Sequence, residues 1–320
     1  MMKNNKQLKK NNFRSLKWIG IVGAVCFVLF GINFAMNLNI KTSTYVISSE
    51  RIAEQIDGFT IVQLSDIHSI RSDRTAENIV SKVEKEKPHI IVITGDLIDF
   101  TYYNQLREGL IKDGNRDRNV DIKTVEFVSE LMRIAQVYYV FGNHERTFLN
   151  DLDNGAFIAS LKDEGVILLN NEQTTITYQE QEINVLGISD PTTVYKDERY
   201  AGLGSGEEVM NAMLSDVTEC IDHDLYTVLL SHRPEYFELY KHYPVDLVLT
   251  GHAHGGQIRI PFIGGLFAPN QGFFPKYTSG SFESGALNMI VNRGIGNSAF
   301  PLRVFNPPEL ITIKLTSSTK

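Results

Sequence analysis

The sequence predicts an α/β body, built as one mixed sheet or two packed sheets with helices outside, preceded by a single N-terminal transmembrane helix. Three observations carry this expectation. Residues 18–38 form a 21-residue run without a charged side chain. Beyond it, short segments rich in Ile and Val alternate first with helix-like stretches and later with turns. The composition, 42% hydrophobic and 22% charged over 320 residues, is that of a globular protein with chain enough for one large domain or two small ones.

From the N-terminus, residues 1–17 form a tail with six basic side chains (Lys3, Lys6, Lys9, Lys10, Arg14, Lys17) and no acid. The run at 18–38 is close to the ~20 residues that cross a ~30 Å hydrocarbon core. The positive-inside rule puts the tail in the cytoplasm, Trp18 at the inner interface and residues 39–320 outside, so the expected location is the cell membrane, single-pass, with the lipid bilayer as one partner. The alternatives are a buried core helix and a cleaved signal peptide. A signal's apolar stretch usually spans only ~7–15 residues and ends at an A-x-A-like site, and residues 33–39 contain no such pair of small residues.

In the body, 43–48 reads as a short strand, 59–64 as an apolar strand, 75–86 as a helix and 89–94 (HIIVIT) as a buried strand opened by His89. A polar insert at 101–120 precedes a helix at about 123–135 and a strand at 137–141. Later strands are expected at 166–169, 176–178, 183–188, 227–230, 247–249, 288–291 and 310–315. No repeat and no low-complexity linker interrupts this order.

Charge and cysteine content exclude two function classes. The net charge of −7 includes the basic tail; the rest carries 25 basic against 38 acidic side chains. A body that acidic is unsuited to neutralising phosphates along a nucleic acid. Two cysteines, Cys26 inside the apolar run and Cys220, make neither a disulfide framework nor a thiolate zinc site. Any metal must be held by histidine and oxygen.

Five strand ends are each followed by a polar cluster: Asp66 and His68, Asp96 and Asp99, Asn143 with His144 and Glu145, His232, and His252 with His254. Functional groups in open α/β sheets gather outside the carboxyl ends of strands, so the five clusters should meet on one rim. Of eight histidines in the chain, five fall in these clusters. That concentration argues against scattered core histidines.

Carboxylate oxygen together with imidazole nitrogen suits manganese, zinc or iron, whereas magnesium and calcium favour oxygen alone. So many ligands exceed the needs of one four-coordinate ion and fit a two-metal site ~3.5–4 Å across. Asp96, held in a tight turn by Gly95, is the expected bridging carboxylate.

The ordered blocks DxH (Asp66, His68), GD (Asp96), GNHE (142–145), the lone His232 and GHAH (251–254) resemble the calcineurin-like metallophosphoesterase superfamily, over about residues 44–315. The stretch GHAHGGQIRIPFIGGLFAPNQGFFPKYTSG, with NRGIGNS and PLRVFNPPEL, is similar to a membrane-associated bacterial branch of phosphodiesterases related to UDP-2,3-diacylglucosamine hydrolases. The resemblance implies a four-layer αββα sandwich of two mixed sheets flanked by helices. It implies two divalent transition-metal ions, the first on Asp66, His68 and His254, the second on Asn143, His232 and His252, with Asp96 shared. It implies that His144 is the catalytic group beside the scissile phosphate, and that a hydroxide bridging the metals attacks a phosphodiester or pyrophosphate. Anchorage adds lipid-linked or cell-envelope phosphates as candidate substrates.

Some residues depart from the family pattern. Phosphoprotein phosphatases carry an arginine after the second aspartate of GDxxD, where this chain has Phe100, so phosphoprotein is not expected. Glu145 stands where many members have Asp. The insert at 101–120, with Tyr102, Tyr103, Arg107, Lys112, Arg116 and Arg118, is either a substrate cap or a solvated loop. Asn143, besides its place among the ligands, and Arg293 are candidates for holding the substrate phosphate, and Asn292 with Arg293 either hold a phosphate or form a structural turn. His89, His223 and His242 read as structural, and the glycine- and aromatic-rich segment 264–274 as a core-lining loop, with contact to the outer leaflet as the alternative. A phosphomonoesterase on the same site is the alternative activity. A non-catalytic binding module would be expected to have lost ligands, and every one is present.

Overall fold

The computed structural model of the chain describes residues 18, 20–24, 27–99, 116–148, 155–194, 197–297 and 303–318. The basic tail, Cys26, Phe100, and Tyr102, Tyr103, Arg107 and Lys112 of the insert lie outside the described residues, as do the side chains of Arg116 and Arg118. Two compact units are present, Met1–Asn39 and Ile40–Lys320. The first contains one helix, Gly20–Asn37, long and apolar enough to cross a bilayer. Its Phe27, Phe30 and Phe34 are exposed.

The second unit is a mixed α/β fold with two six-stranded sheets. The first sheet contains β1 (Lys41–Ser49), β2 (Thr60–Leu64), β3 (Ile90–Thr94), β4 (Gln136–Val140), β5 (Ile167–Leu168) and β16 (Glu309–Ser317) in the order β1-β16-β2-β3-β4-β5. β2 to β5 run parallel, and β16 is antiparallel to β2 and parallel to β1. The second contains β6 (Glu172–Tyr178), β7 (Gln181–Gly187), β8 (Tyr226–Leu230), β9 (Leu247–Thr250), β14 (Gly280–Ser284) and β15 (Leu287–Val291) in the order β14-β15-β9-β8-β7-β6. Its four middle strands are parallel and both edge pairs antiparallel.

Every residue of β2, β3 and β8 is buried, as expected of parallel strands covered on both faces. The period of two then divides their side chains between cores. Ile90 and Val92 of β3 join Val228 and Leu230 of β8 in a core that takes residues from both sheets. Ile91 and Ile93 face the other way, onto Ile79 and Val83 of helix Asp73–Glu86 and Phe127, Val128 and Leu131 of helix Arg116–Met132. Leu229 packs with Met210, Met213, Leu214 and Val217 of helix Gly206–Thr218.

Several expectations need correction. The helix expected from 123 begins at Arg116, because its polar first turns show no apolar period although they accommodate a helix. His89 precedes β3 instead of opening it; its ring stacks on Phe59 and its Nδ1 accepts the Thr60 N–H at 2.9 Å. The segment expected to line the core instead belongs to two small hairpins, β10 (Arg259–Ile260) with β11 (Gly264–Gly265) and β12 (Phe267–Ala268) with β13 (Gly272–Phe273). Two-residue strands rich in glycine cannot enclose aromatic rings, and Phe262, Ile263, Phe273 and Phe274 are exposed.

Candidate active site

The loops after β2, β3, β4, β8 and β9 bring the five sequence clusters together. β2 leads into Asp66 and His68, β3 into Asp96, β4 into Asn143 and His144, β8 into His232, and β9 into His252 and His254. Both sheets therefore contribute, each through the carboxyl ends of parallel strands. Asp66, His68, Asp96, His252 and His254 all have left-handed backbone conformations, with φ of 49°, 54°, 52°, 64° and 45°. Such φ values are uncommon for residues other than glycine and gather at functional sites. Their neighbours leave the room: a Cβ on Gly95 would collide with the His232 ring, one on Gly142 with the Asp96 carboxylate, and one on Gly251 with Ser65 and Asp66.

Two groups of donors share one carboxylate. Asp66, His68, Asp96 and His254 form one, Asp96, His232 and His252 the other, each with ligand atoms within 4.8 Å of one another. In the first, His68 Nε2 lies 3.0 Å from His254 Nε2, which is 3.2 Å from Asp66 Oδ1. In the second, His232 Nε2 lies 3.2 Å from His252 Nδ1 and 3.3 Å from Asp96 Oδ2. Asp96 Oδ2 is also 3.9 Å from His68 Nε2, on the first group's side.

The residues fit divalent cations on three counts. Imidazole nitrogens facing each other at 3.0 and 3.2 Å need a proton or a cation between them. The buried Oδ1 of Asn143 has no hydrogen-bond partner, and an orphaned buried acceptor calls for an explanation such as an ion. His232 Nδ1 lies 2.8 Å from the Thr94 carbonyl. Donating its Nδ1–H there leaves Nε2 with a free lone pair, the usual arrangement behind a metal-bound imidazole.

Without a cation the charges compensate one another. Burial pushes the Asp66 carboxyl up to about 6 and the His68 imidazole down to about 3. Burial acts against ionised Asp96 too, yet the surrounding His232, His144 and His68 hold its carboxyl well below the usual range. His232, although buried, is pushed up to about 10 by Asp96, Asp66 and Asp190. Burial and neighbouring cationic groups hold His252 and His254 well below the ordinary imidazole value.

His144 sits at the edge of this assembly, its side chain 15% exposed, with Nε2 3.8 Å from Asp96 Oδ2 and Nδ1 3.9 Å from Asp99 Oδ1. Its backbone N–H donates to Asp96 Oδ1 at 2.9 Å. Asn143 and His144 are thus presented by the same turn, and His144 forms a third group of donors with His68 and Asp99. Arg293 has its Nε 3.6 Å from Glu309 Oε2. Asn292 is buried and donates to the Gln63 carbonyl at 3.1 Å. His223 and His242 lie outside these donor groups.

Three supporting roles, those of Glu145, Arg303 and Arg233, escaped the sequence reading. Glu145 is fully buried and accepts backbone N–H groups from Asp96 (3.0 Å), Leu97 (2.9 Å) and Gly142 (2.7 Å), tying the loop after β3 to the loop after β4. Arg303 places Nη2 3.4 Å from His254 Nδ1 and donates to the Arg293 carbonyl. Arg233, ion-paired with buried Asp190, places Nη1 3.2 Å from His252 Nε2. The only local signals are Arg233's place next to His232 and Glu145's place in GNHE; Arg303 and Asp190 are distant in sequence and reach the site only through the fold.

A family model described as calcineurin-like phosphoesterase matches residues 59–256, which include all seven proposed ligands. The uncharacterized metallophosphoesterase YkuE of Bacillus subtilis is 29% identical, over 87% of this chain and 86% of its own. Phosphodiesterase YaeI of Escherichia coli is 27% identical, over 80% and 82%. UDP-2,3-diacylglucosamine pyrophosphatase LpxG of Chlamydia muridarum is 26% identical, over 81% and 84%.

Proposed function

The chain belongs to the calcineurin-like phosphoesterase family and is a phosphohydrolase, and on that premise we propose that it cleaves phosphodiester or pyrophosphate bonds at a dinuclear metal centre. The observation that carries this reading is Asp96, common to two donor groups each suited to one ion. The first ion is assigned to Asp66, His68 and His254 and the second to Asn143, His232 and His252, with Asp96 between them. Mixed nitrogen and oxygen donors favour manganese, zinc or iron. When bound, two such ions supply a nucleophile from water near neutral pH and neutralise charge on the phosphoryl oxygens.

The chain's own residues do the rest. His144, with Nδ1 3.9 Å from Asp99 Oδ1, is assigned to donate a proton to the leaving oxygen. Arg293 is assigned to the phosphate with lower priority than His144, because Glu309 already engages it, and Asn292 to the structural turn, because Gln63 and Gly294 engage both ends of its amide. The helices covering both outer sheet faces support the four-layer αββα sandwich.

Cleavage of a phosphorus substituted on both sides is favoured over monoester hydrolysis because the named relatives are a phosphodiesterase and a pyrophosphatase. Lipid-linked or envelope phosphates follow from the apolar helix Gly20–Asn37 and from the acylated substrate in the name of the chlamydial relative. The domain order is a cytoplasmic tail at 1–17, an anchor at 18–38 and an extracytoplasmic catalytic body at 39–320. Comparing bis-p-nitrophenyl phosphate with p-nitrophenyl phosphate tests the bond class. Preference for the diester is expected, and preference for the monoester would transfer the site to a phosphomonoesterase.

A further inference from the structure

The two hairpins between β9 and β14 expose more apolar surface than any packing need explains. Phe262 is fully exposed at the tip of the first, and Ile263, Phe273 and Phe274 are exposed by 65%, 73% and 62%. Single exposed apolar residues are ordinary, but four large ones within thirteen residues mark an interaction surface. The hairpins are held in place: Ala268 is buried, the Leu266 N–H donates to the Ile258 carbonyl at 2.8 Å, and Phe267 and Phe273 pair edge to face at 5.5 Å. The exposed rings therefore sit on a built scaffold.

We infer that these hairpins dock the body onto an anionic lipid bilayer, with Phe262, Ile263, Phe273 and Phe274 entering the interfacial layer. Two observations choose this occupant. First, the apolar helix ends at Asn37 and β1 starts at Lys41. Three connecting residues span at most about 10 Å, a short tether between the apolar segment and the body. Second, residues 257–282 contain no Asp or Glu, in a body whose acids outnumber its bases; Arg259 is engaged by the Gly255 carbonyl, and the exposed Lys276, 3.7 Å from Glu238, supplies the cation of this surface. Aromatic and aliphatic side chains beside a few cations are the composition of an interfacial anchor on anionic lipid.

The same hairpins reach the catalytic site. Asn270, between β12 and β13, places Nδ2 3.2 Å from Nε2 of His252. Docking would thus present the site to phosphoesters whose head groups lie at the bilayer surface. This last step rests on the proposed phosphoesterase reading; the docking itself does not.

The test uses the full-length chain reconstituted into phosphatidylcholine–phosphatidylglycerol vesicles, with Trp18, the single tryptophan, replaced by Phe. Phe273→Trp reports on the hairpin and Glu182→Trp on an exposed position at the start of β7, the end of the second sheet opposite the loops after β8 and β9. Brominated acyl chains should quench Phe273→Trp at least about twofold and leave Glu182→Trp unchanged, as shallow insertion requires. Equal, weak quenching at both positions would overturn the inference. So would a blue-shifted Phe273→Trp that bromolipid does not quench, which would mean that a second copy of the chain covers the hairpins. An alkaline wash reports separately on the helix: release of the chain with hairpin quenching beforehand would overturn the anchor and support the docking. Activity plays no part in the readout, so its loss would challenge only the phosphoesterase reading.

Discussion

The ring of His232 bridges two strands' worth of machinery: its Nδ1 lies 2.8 Å from the carbonyl of Thr94, the last residue of β3, and its Nε2 lies 3.3 Å from Oδ2 of Asp96. The imidazole is thereby fixed against the very loop that carries the carboxylate common to both donor groups. One side chain from the second sheet thus sets the geometry of a loop from the first.

Asp96→Asn should be the most damaging single change among the proposed ligands. It weakens a carboxylate that both ions would share, whereas His254→Ala or His252→Ala removes a ligand of one. Metal affinity should fall on the order of 100-fold or more, together with turnover. Metal analysis alongside steady-state kinetics checks this; a variant retaining full metal and near-normal turnover would refute the sharing.

His144→Ala should retain metal and lose turnover. General acid catalysis contributes about 10²- to 10⁴-fold, and a loss of that order is expected for esters with strongly basic alkoxide leaving groups. Nitrophenolate departs without much help, so nitrophenyl esters should suffer less. Equal losses on both would assign His144 to phosphate binding, and lost metal would make it a ligand.

Metal affinity should rise with pH. In the metal-free protein His232 is raised from 6.5 to about 10, so its charged form stabilises the fold fully below pH 6.5, and that contribution is lost as pH rises through about 10. A cation arriving at neutral pH must displace this proton, which strengthens apparent binding by up to about tenfold per pH unit for one proton released. Calorimetry in buffers of different ionisation enthalpy counts the proton. Affinity independent of pH would mean that His232 is not a ligand.

Glu145→Gln should uncouple the loops after β3 and β4. Burial and Asp96 push the Glu145 carboxyl up to about 7; an amide nitrogen turned toward the N–H groups of Asp96 or Gly142 meets donors with a donor, and each buried donor left unsatisfied costs about 1–3 kcal/mol. Stability to denaturant and metal content should both fall although Glu145 touches no ion. Unchanged stability would show that the carboxylate is dispensable to the loop geometry.

Much of the site was legible because its donors are short, local blocks at strand ends: Asp66 and His68, Asp96, Asn143 and His144, and His252 and His254 each follow a recognisable apolar run. The sheets were legible for the same reason, since β3 and β8 read as uninterrupted apolar segments. What escaped lacks a long apolar run. β14 alternates half-buried and exposed residues at a sheet edge. Helix Gly206–Thr218 carried a usable signal, the Ser205–Glu208 capping box, that went unread. Arg303 and Asp190 act on the site across dozens of residues, a distance that only topology closes.

Six positive charges before Trp18 are the basis for proposing a cytoplasmic tail and an external body. Protease added to intact spheroplasts should digest the body and spare the tail. Digestion only after lysis would reverse the orientation, and a mature chain starting after residue 35 would show a cleaved signal.

The most direct test of the dinuclear reading is the number of divalent ions bound per folded chain, measured by elemental analysis on wild type and on Asp96→Asn in parallel. About two equivalents of manganese, zinc or iron are expected in the wild type, with both diminished in the variant. A wild type that binds one ion or none under saturating metal, with the fold intact, would contradict it.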